Sequence, residues 1–389
     1  MNMIKIAFRK NHIYLVALFF SYFFRRILLI ILQKIFGFKK SLIFCFFMCS
    51  GQIIGGITIY IYQYTFLRKK GNSSNTKYAI QLISNKREMN RVDNSYKILF
   101  LIFLASSFDF VEFFITSDFI PEIASLSSTA DLRLGFIMTV TTSLLCTFAL
   151  RYKIGKHQFL SLIVLTCLSL IIIILEFIYK PKEIELGKYF ISYILLILHF
   201  VFRSFNNVIE KYLGEYNFLS PFVIIFDEGV STFILTSIYS IFRNPFKEVS
   251  DTYNKLETGK SIAFIILIIL YFVSCAFVNV YKTYCNIFYS PMAKSLASYF
   301  FNSAFIIYHY AAGNDFFSNG QKNFFYFFIN LIFSIIIDFF GLIYNEFFVL
   351  NFWNLSKETH QEIASRAIIK EMESMENHEE DNDSNDGDE

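Results

Sequence analysis

The sequence predicts an all-α polytopic membrane protein, and three observations carry that prediction. Of its 389 residues 55% are hydrophobic and 17% charged, with 51 Phe and 24 Tyr, more apolar side chain than a soluble core of this length encloses. Apolar runs of about 20 residues, the length at which a helix crosses about 30 Å of hydrocarbon, recur from near the N-terminus to about residue 348. Charge is segregated as well. Basic residues crowd into short connections and acidic ones into the last twenty positions, so the net charge of +3 says little as a sum.

Reading apolar runs between charged and turn residues gives ten spans, near 13–35, 41–66, 97–118, 130–150, 157–179, 186–210, 219–242, 260–285, 290–310 and 323–348. The first holds Arg25 and Arg26 in mid-run, and an arginine at a helix centre costs about 2.5–3.5 kcal/mol on insertion scales. A nine-span version therefore stays open, with 13–35 lying along the surface or forming a hairpin with the next span. No signal-peptide pattern precedes that segment, which is expected to remain as an anchor.

Loop charge sets the expected orientation. Residues 67–96 carry Arg68, Lys69, Lys70, Lys77, Lys86, Arg87 and Arg91 against Glu88 and Asp93, which marks this loop as cytoplasmic. Arg151, Lys153 and Lys156 agree, as do Lys5, Arg9 and Lys10, so ten spans place both termini in the cytoplasm. Lys34, Lys39 and Lys40 fall on the opposite side in this arrangement. Beyond Lys370 the tail is acidic without a further basic residue and is expected to be disordered. The sequons at Asn72, Asn354 and Asn382 all fall in the cytoplasm and are expected to be unused.

The six cysteines (Cys45, Cys49, Cys146, Cys167, Cys275, Cys285) lie in or beside spans, where a thiol acts as a small apolar group, so neither a disulfide framework nor a metal site is expected. Gly51, Gly55 and Gly56 have the small-xxx-small spacing of close helix packing.

Ionisable side chains inside a bilayer are expensive and tend to be functional, so they define the candidate substrate-binding set. Asp109 and Glu112 stand one turn apart in the third span, facing a cavity or else paired with Lys282. In the sixth span Arg203, Asn206 and Glu210 share a face, either as a substrate stripe or as a snorkelling helix end. Asn279 and Lys282 in the eighth span, with Lys294 after Ser290-Pro291, bring positive charge that suits a phosphate-bearing solute. Asp227, Glu228 and Asp338 are further intramembrane acids and candidates for a coupling-ion site. Tyr281, Tyr284 and Tyr289 are bulk or a stacking wall, and His199 and His309 read as core histidines.

Ten spans divide into two fives, and because five is odd a duplicated unit would be inverted between halves. Aligning residues 107–112 with 277–282 sets Asp109 opposite Asn279 and Glu112 opposite Lys282. With this span count, the short connection at 151–158, the Ser290-Pro291 start and the Gly341-Leu342-Ile343-Tyr344-Asn345-Glu346 exit, residues 13–350 resemble the drug/metabolite transporter superfamily. The resemblance is to its EamA-like and nucleotide-sugar-transporter-like (solute carrier 35-like) members. It implies a first five-helix repeat over 13–180, a second over 186–350, alternating access, and an endomembrane address, Golgi or endoplasmic reticulum, ahead of the plasma membrane. The chain departs from that pattern in its aromatic spans and its basic loop.

The expected function is secondary transport of a small polar metabolite, such as a nucleotide sugar. The competing expectation is a non-transporting scaffold that recruits partners through the acidic tail. No G-x-x-x-x-G-K-[ST] loop, H-E-x-x-H or nucleophile elbow occurs, so neither a primary pump nor an enzyme is expected, and no cofactor. The expected partners are the lipid bilayer and a small-molecule solute, with no nucleic acid and with a homodimer open as the assembly.

Overall fold

The computed structural model describes residues 4–6, 12–38, 43–62, 95–116, 134–179, 185–217, 219–242, 244, 246–288, 290–292, 294, 302–311, 317–318, 321–350 and 359. The basic loop as far as residue 94, the three sequons, Tyr289 and nearly all of the acidic tail lie outside the described residues. In chain order the elements are β1 (Ile4–Ile6), α1 (His12–Phe36), α2 (Ile43–Tyr62), α3 (Ser95–Phe114), α4 (Phe136–Ala149), α5 (Lys156–Ile178), α6 (Leu186–Glu215), α7 (Pro221–Ser240), α8 (Lys247–Asn254), α9 (Thr258–Phe288), α10 (Asn302–Ala311), β2 (Phe317–Ser318), β3 (Gln321–Lys322), α11 (Phe324–Tyr344) and β4 (Phe348–Leu350).

Seven of these helices, α1, α2, α5, α6, α7, α9 and α11, are long and apolar enough to cross a membrane. α3 fills the third predicted span but carries Lys97, Asp109 and Glu112, while α4 and α10 are shorter helices at the fourth and ninth. The outside is apolar and much of the inside polar, the reverse of a soluble protein. Ile262, Ile265, Ile269 and Val273 form an exposed stripe on α9, and Phe324, Phe328, Ile332 and Ile335 one on α11. Ser106, Ser143, Ser161 and Ser204 are fully or almost fully buried and donate back to the carbonyls of Ile102, Thr139, His157 and Phe200. Their hydroxyls thus need no water, as an apolar solvent demands. The chain is a helical multi-pass membrane protein.

Glycine governs how closely the helices at the centre approach. α2 lies between α7 and α9. A Cβ on Gly229 of α7 would stand 2.8 Å from Gln52 Cβ and 2.9 Å from Ile53 N, and one on Gly56 would stand 2.9 Å from Phe226 Cβ. Gly51 and Gly55 meet Ala276 and Val280 of α9 in the same manner. The helices alternate in direction. α2 and α7 are antiparallel, with Cys45 beside Thr236 and Gly56 beside Phe226. α1 opposes α9, through Tyr14 on Tyr284 and Phe36 on Phe264. α3 runs beside α7, with Ser106 at the Glu228 carbonyl and Phe114 against Tyr239. α5 opposes α11, through His157 to Glu346 and Tyr179 on Tyr326.

The structure amends several boundaries. α1 packs along α9 instead of lying on the surface, and its arginines are occupied. Arg25 donates to Met48 Sδ at 3.0 Å and lies over Tyr22, while Arg26 lies over Phe305. The last span stops at Tyr344, four residues before the predicted end. Glu346 takes a left-handed conformation (φ 59°), Phe347 N donates to Leu342 O, and the chain then enters β4, which pairs antiparallel with β1. Hydrophobicity alone cannot distinguish such a short apolar strand from the end of a helix. The β1–β4 pair brings the start of α1 and the exit of α11 to one side. The fifth span begins one residue ahead of its predicted start, at Lys156, and α8 and the β2–β3 hairpin are additions.

Candidate functional site

The interior between α2, α3, α6 and α9 holds a connected set of charged and amide side chains. α3 supplies Asp109 and Glu112, three residues apart and both buried. Opposite it, α6 supplies His199, Arg203, Asn206 and Glu210, spaced by four, three and four residues and so on one face. α9 adds Lys282 and Asn286, and α2 adds Gln52. Lys294 enters from the helical turn that begins at Ser290-Pro291, where its N–H donates to the Ser290 carbonyl; proline is suited to such a first position.

Two carboxylates organise the bonds. Asp109 accepts from Gln52 Nε2 at 3.1 Å and from Asn206 Nδ2, and its Oδ1 lies 3.7 Å from Lys282 Nζ. Glu210 accepts from Lys294 Nζ at 2.6 Å and Asn286 Nδ2 at 2.7 Å, and its other oxygen lies 3.5 Å from Lys282 Nζ. Lys282 therefore bridges the two acids. Glu112 lies 3.7 Å from Arg203, whose other nitrogen donates to Tyr22 Oη at 2.8 Å, and 3.9 Å from His199 Nδ1. A lone buried ion costs several kcal/mol in effective terms, and only close partners of opposite sign offset that cost. The network satisfies this condition while joining the first half of the chain (α1, α2, α3) to the second (α6, α9, Lys294).

Of the residues singled out in the sequence, Asp109, Glu112, Arg203, Asn206, Lys282 and Lys294 come together here. Asn279 does not bond into the network; its amide donates to the Met48 carbonyl at 3.1 Å and clamps α9 to α2. Lys282, aligned in sequence with Glu112 of the other half, meets Asp109 and Glu210. Both lysine ammonium groups rest on carboxylates and do not form an open basic patch. Tyr284 stacks on Tyr14, and Tyr281 packs with Leu15, Leu18 and Cys285. Asp338 accepts from Ser303 of α10 at 3.0 Å, apart from the network. Gln52 and Asn286 were missed, and His199, read from the sequence as a core histidine, stands 3.9 Å from Glu112. Asn286 had a signal, one turn beyond Lys282 on its face, whereas Gln52, alone in an apolar run, had none.

Smaller polar contacts occupy the helix ends. At the end where β1 and β4 pair, buried His157 and Glu346 meet at 3.3 Å, and Tyr152 donates to Glu215. Burial first, and then that hydrogen bond, push the Tyr152 hydroxyl well above the usual phenol range. Toward the other end, Glu176 accepts from Tyr193 at 2.7 Å.

No protein-family model matches the chain, and no curated protein matches it. Function is therefore read from the chemistry of the network.

Proposed function

We propose that this chain is a secondary transporter that moves a small polar metabolite by alternating access. The observation that carries the proposal is the buried network, whose acids and bases come from both halves of the chain and neutralise each other across α3, α6 and α9. Such a pair can part without leaving a bare charge only where another charged group takes its place. A solute bearing a phosphate offers Lys282, Lys294 or Arg203 the oxygens that Asp109, Glu210 and Glu112 offer without it, so binding and rearrangement of the halves become one event. The resemblance to drug/metabolite transporters suggests a nucleotide sugar or another phosphate-bearing solute as its class. The substrate-contacting set is Asp109, Glu112, Arg203, Asn206, Lys282 and Lys294, with Asn279 holding the helix that carries Lys282.

The packing supports ten spans in two inverted repeats. Shifting each span by five turns the α1–α9 pair into α6–α3, α2–α9 into α7–α3 and α4–α5 into α10–α11, and leaves α2–α7 and α5–α11 unchanged; all of these pairs pack together. The alignment of Asp109 with Asn279 also carries Ser106, which sits at Glu228 on α7, onto Ala276, which sits at Gly51 on α2. The β1–β4 pairing favours an even number of crossings. With the basic loop inside, both termini are cytoplasmic, in an endomembrane by the same resemblance.

The test is uptake by cells or vesicles carrying Asp109→Asn and Glu112→Gln. The carrier reading expects each to abolish uptake at unchanged abundance and membrane insertion. Uptake equal to wild type in both would reduce the network to packing, as the scaffold reading requires.

A further inference from the structure

Four acids belong to or adjoin the interior network, and three have a cation of their own. Asp109 lies beside Lys282, Glu112 beside Arg203, and Glu210 beside Lys282 and Lys294. Glu228 of α7 is 1% exposed, and among the described residues no Lys or Arg lies within 4.0 Å of it and its Oε1 has no hydrogen-bond partner. One turn along the same face, Thr232 Oγ1 is likewise buried without a partner. The charged groups facing Glu228 are Asp109 from α3, Glu210 from α6, Lys282 from α9, and Lys294. Behind these stand Glu112, Arg203 and the imidazole of His199; Asp227 neighbours it on α7, and α2 contributes no Asp, Glu, Lys or Arg, only Gln52 and the thiols of Cys45 and Cys49. With all four acids ionised and the imidazole neutral, Arg203, Lys282 and Lys294 leave one negative charge uncompensated in a buried space, where a bare charge costs several kcal/mol.

We propose that Glu228 is the proton-carrying carboxyl that couples this transporter to a proton gradient, an inference that rests on the carrier reading above. In the state seen here the Glu228 carboxyl holds the proton that balances the cluster. A phosphate that draws Lys282 or Lys294 off its acid brings further negative charge, so Glu228 keeps its proton while solute is bound and carries it across. Once the solute has left and the lysine has returned to its acid, Glu228 gives the proton to water on that side and takes one up again from the other. One proton moves per cycle and no covalent bond changes beyond that O–H.

Two measurements on the full chain in liposomes test this. Infrared difference spectra across a pH titration are expected to show a protonated-carboxyl component that is absent from Glu228→Gln, shifted in Glu228→Asp, and retained in Asp338→Asn. Glu228→Gln is expected to keep solute counterflow but lose accumulation driven by an imposed pH gradient, and Glu228→Asp to keep both. A component that survives Glu228→Gln, gradient-driven accumulation that survives it, or a sodium gradient that drives accumulation where a proton gradient does not would each overturn the proposal and leave the carrier standing. No counterflow from the wild-type chain would overturn the carrier reading, and the coupling with it.

Discussion

Glu210 takes Lys294 at 2.6 Å and Asn286 at 2.7 Å and stands 3.5 Å from Lys282, so neutralising it takes the carboxylate from Lys294 and leaves Lys282 with Asp109 alone. Breaking a buried pair by removing one partner costs about 3–5 kcal/mol. Glu210→Gln should therefore melt well below wild type in detergent, and Glu210→Gln with Lys294→Met should recover part of the loss; a single variant that melts like wild type would deny the pair any structural weight. Arg203→Lys tests geometry apart from charge. A lysine cannot reach Glu112 and Tyr22 together as the guanidinium does, so uptake should fall several-fold at unchanged abundance. Most of this site was legible because an ion in an apolar run stands out. What stayed hidden were the pairings, since which acid Lys282 meets depends on the crossing of α3, α6 and α9, and the neutral members Gln52 and Asn286. Asn279 misled for the same reason: its polarity was visible, but the side of α9 it occupies was not.

Helices α2 and α7 meet through glycine, and there the packing tolerates little. Gly229→Val would drive a branched side chain into the Ile53 N and Cys49 O backbone atoms, at 2.9 and 3.0 Å from the first added carbon. That backbone cannot swing aside as a side chain can. We expect loss of the folded monodisperse peak in size-exclusion chromatography, with Gly187→Ala, whose added carbon meets nothing within 4 Å, as the unchanged control. Apolar length announced the helices, but their ends depend on contacts distant in sequence. α11 stops where residues 348–350 find β1, more than 300 residues away, and α1 tolerates Arg25 and Arg26 because Met48, Tyr22 and Phe305 receive them. α8 escaped notice because an eight-residue polar helix leaves no hydrophobic run to find.

Across the whole molecule, the β1–β4 pair favours an even number of crossings, a parity that local sequence leaves open. Single cysteines introduced near residues 8, 75 and 375 of a cysteine-depleted chain should react with an impermeant reagent from the same side, and one near residue 183 from the other. Reaction at 8 and 375 from opposite sides would refute the ten-span arrangement. In the proposed arrangement of two five-span halves the halves are inverted, and the network at their junction is the element that rearrangement would have to break and remake. The most direct measurement is counterflow in proteoliposomes, with labelled nucleotide sugars, nucleotides and cationic metabolites offered to the purified chain and to the Asp109→Asn/Glu112→Gln variant. Saturable exchange of one solute class, lost in the variant, is the predicted result; equal exchange by both proteins, or none by the wild type with any class, would contradict a carrier built on this network.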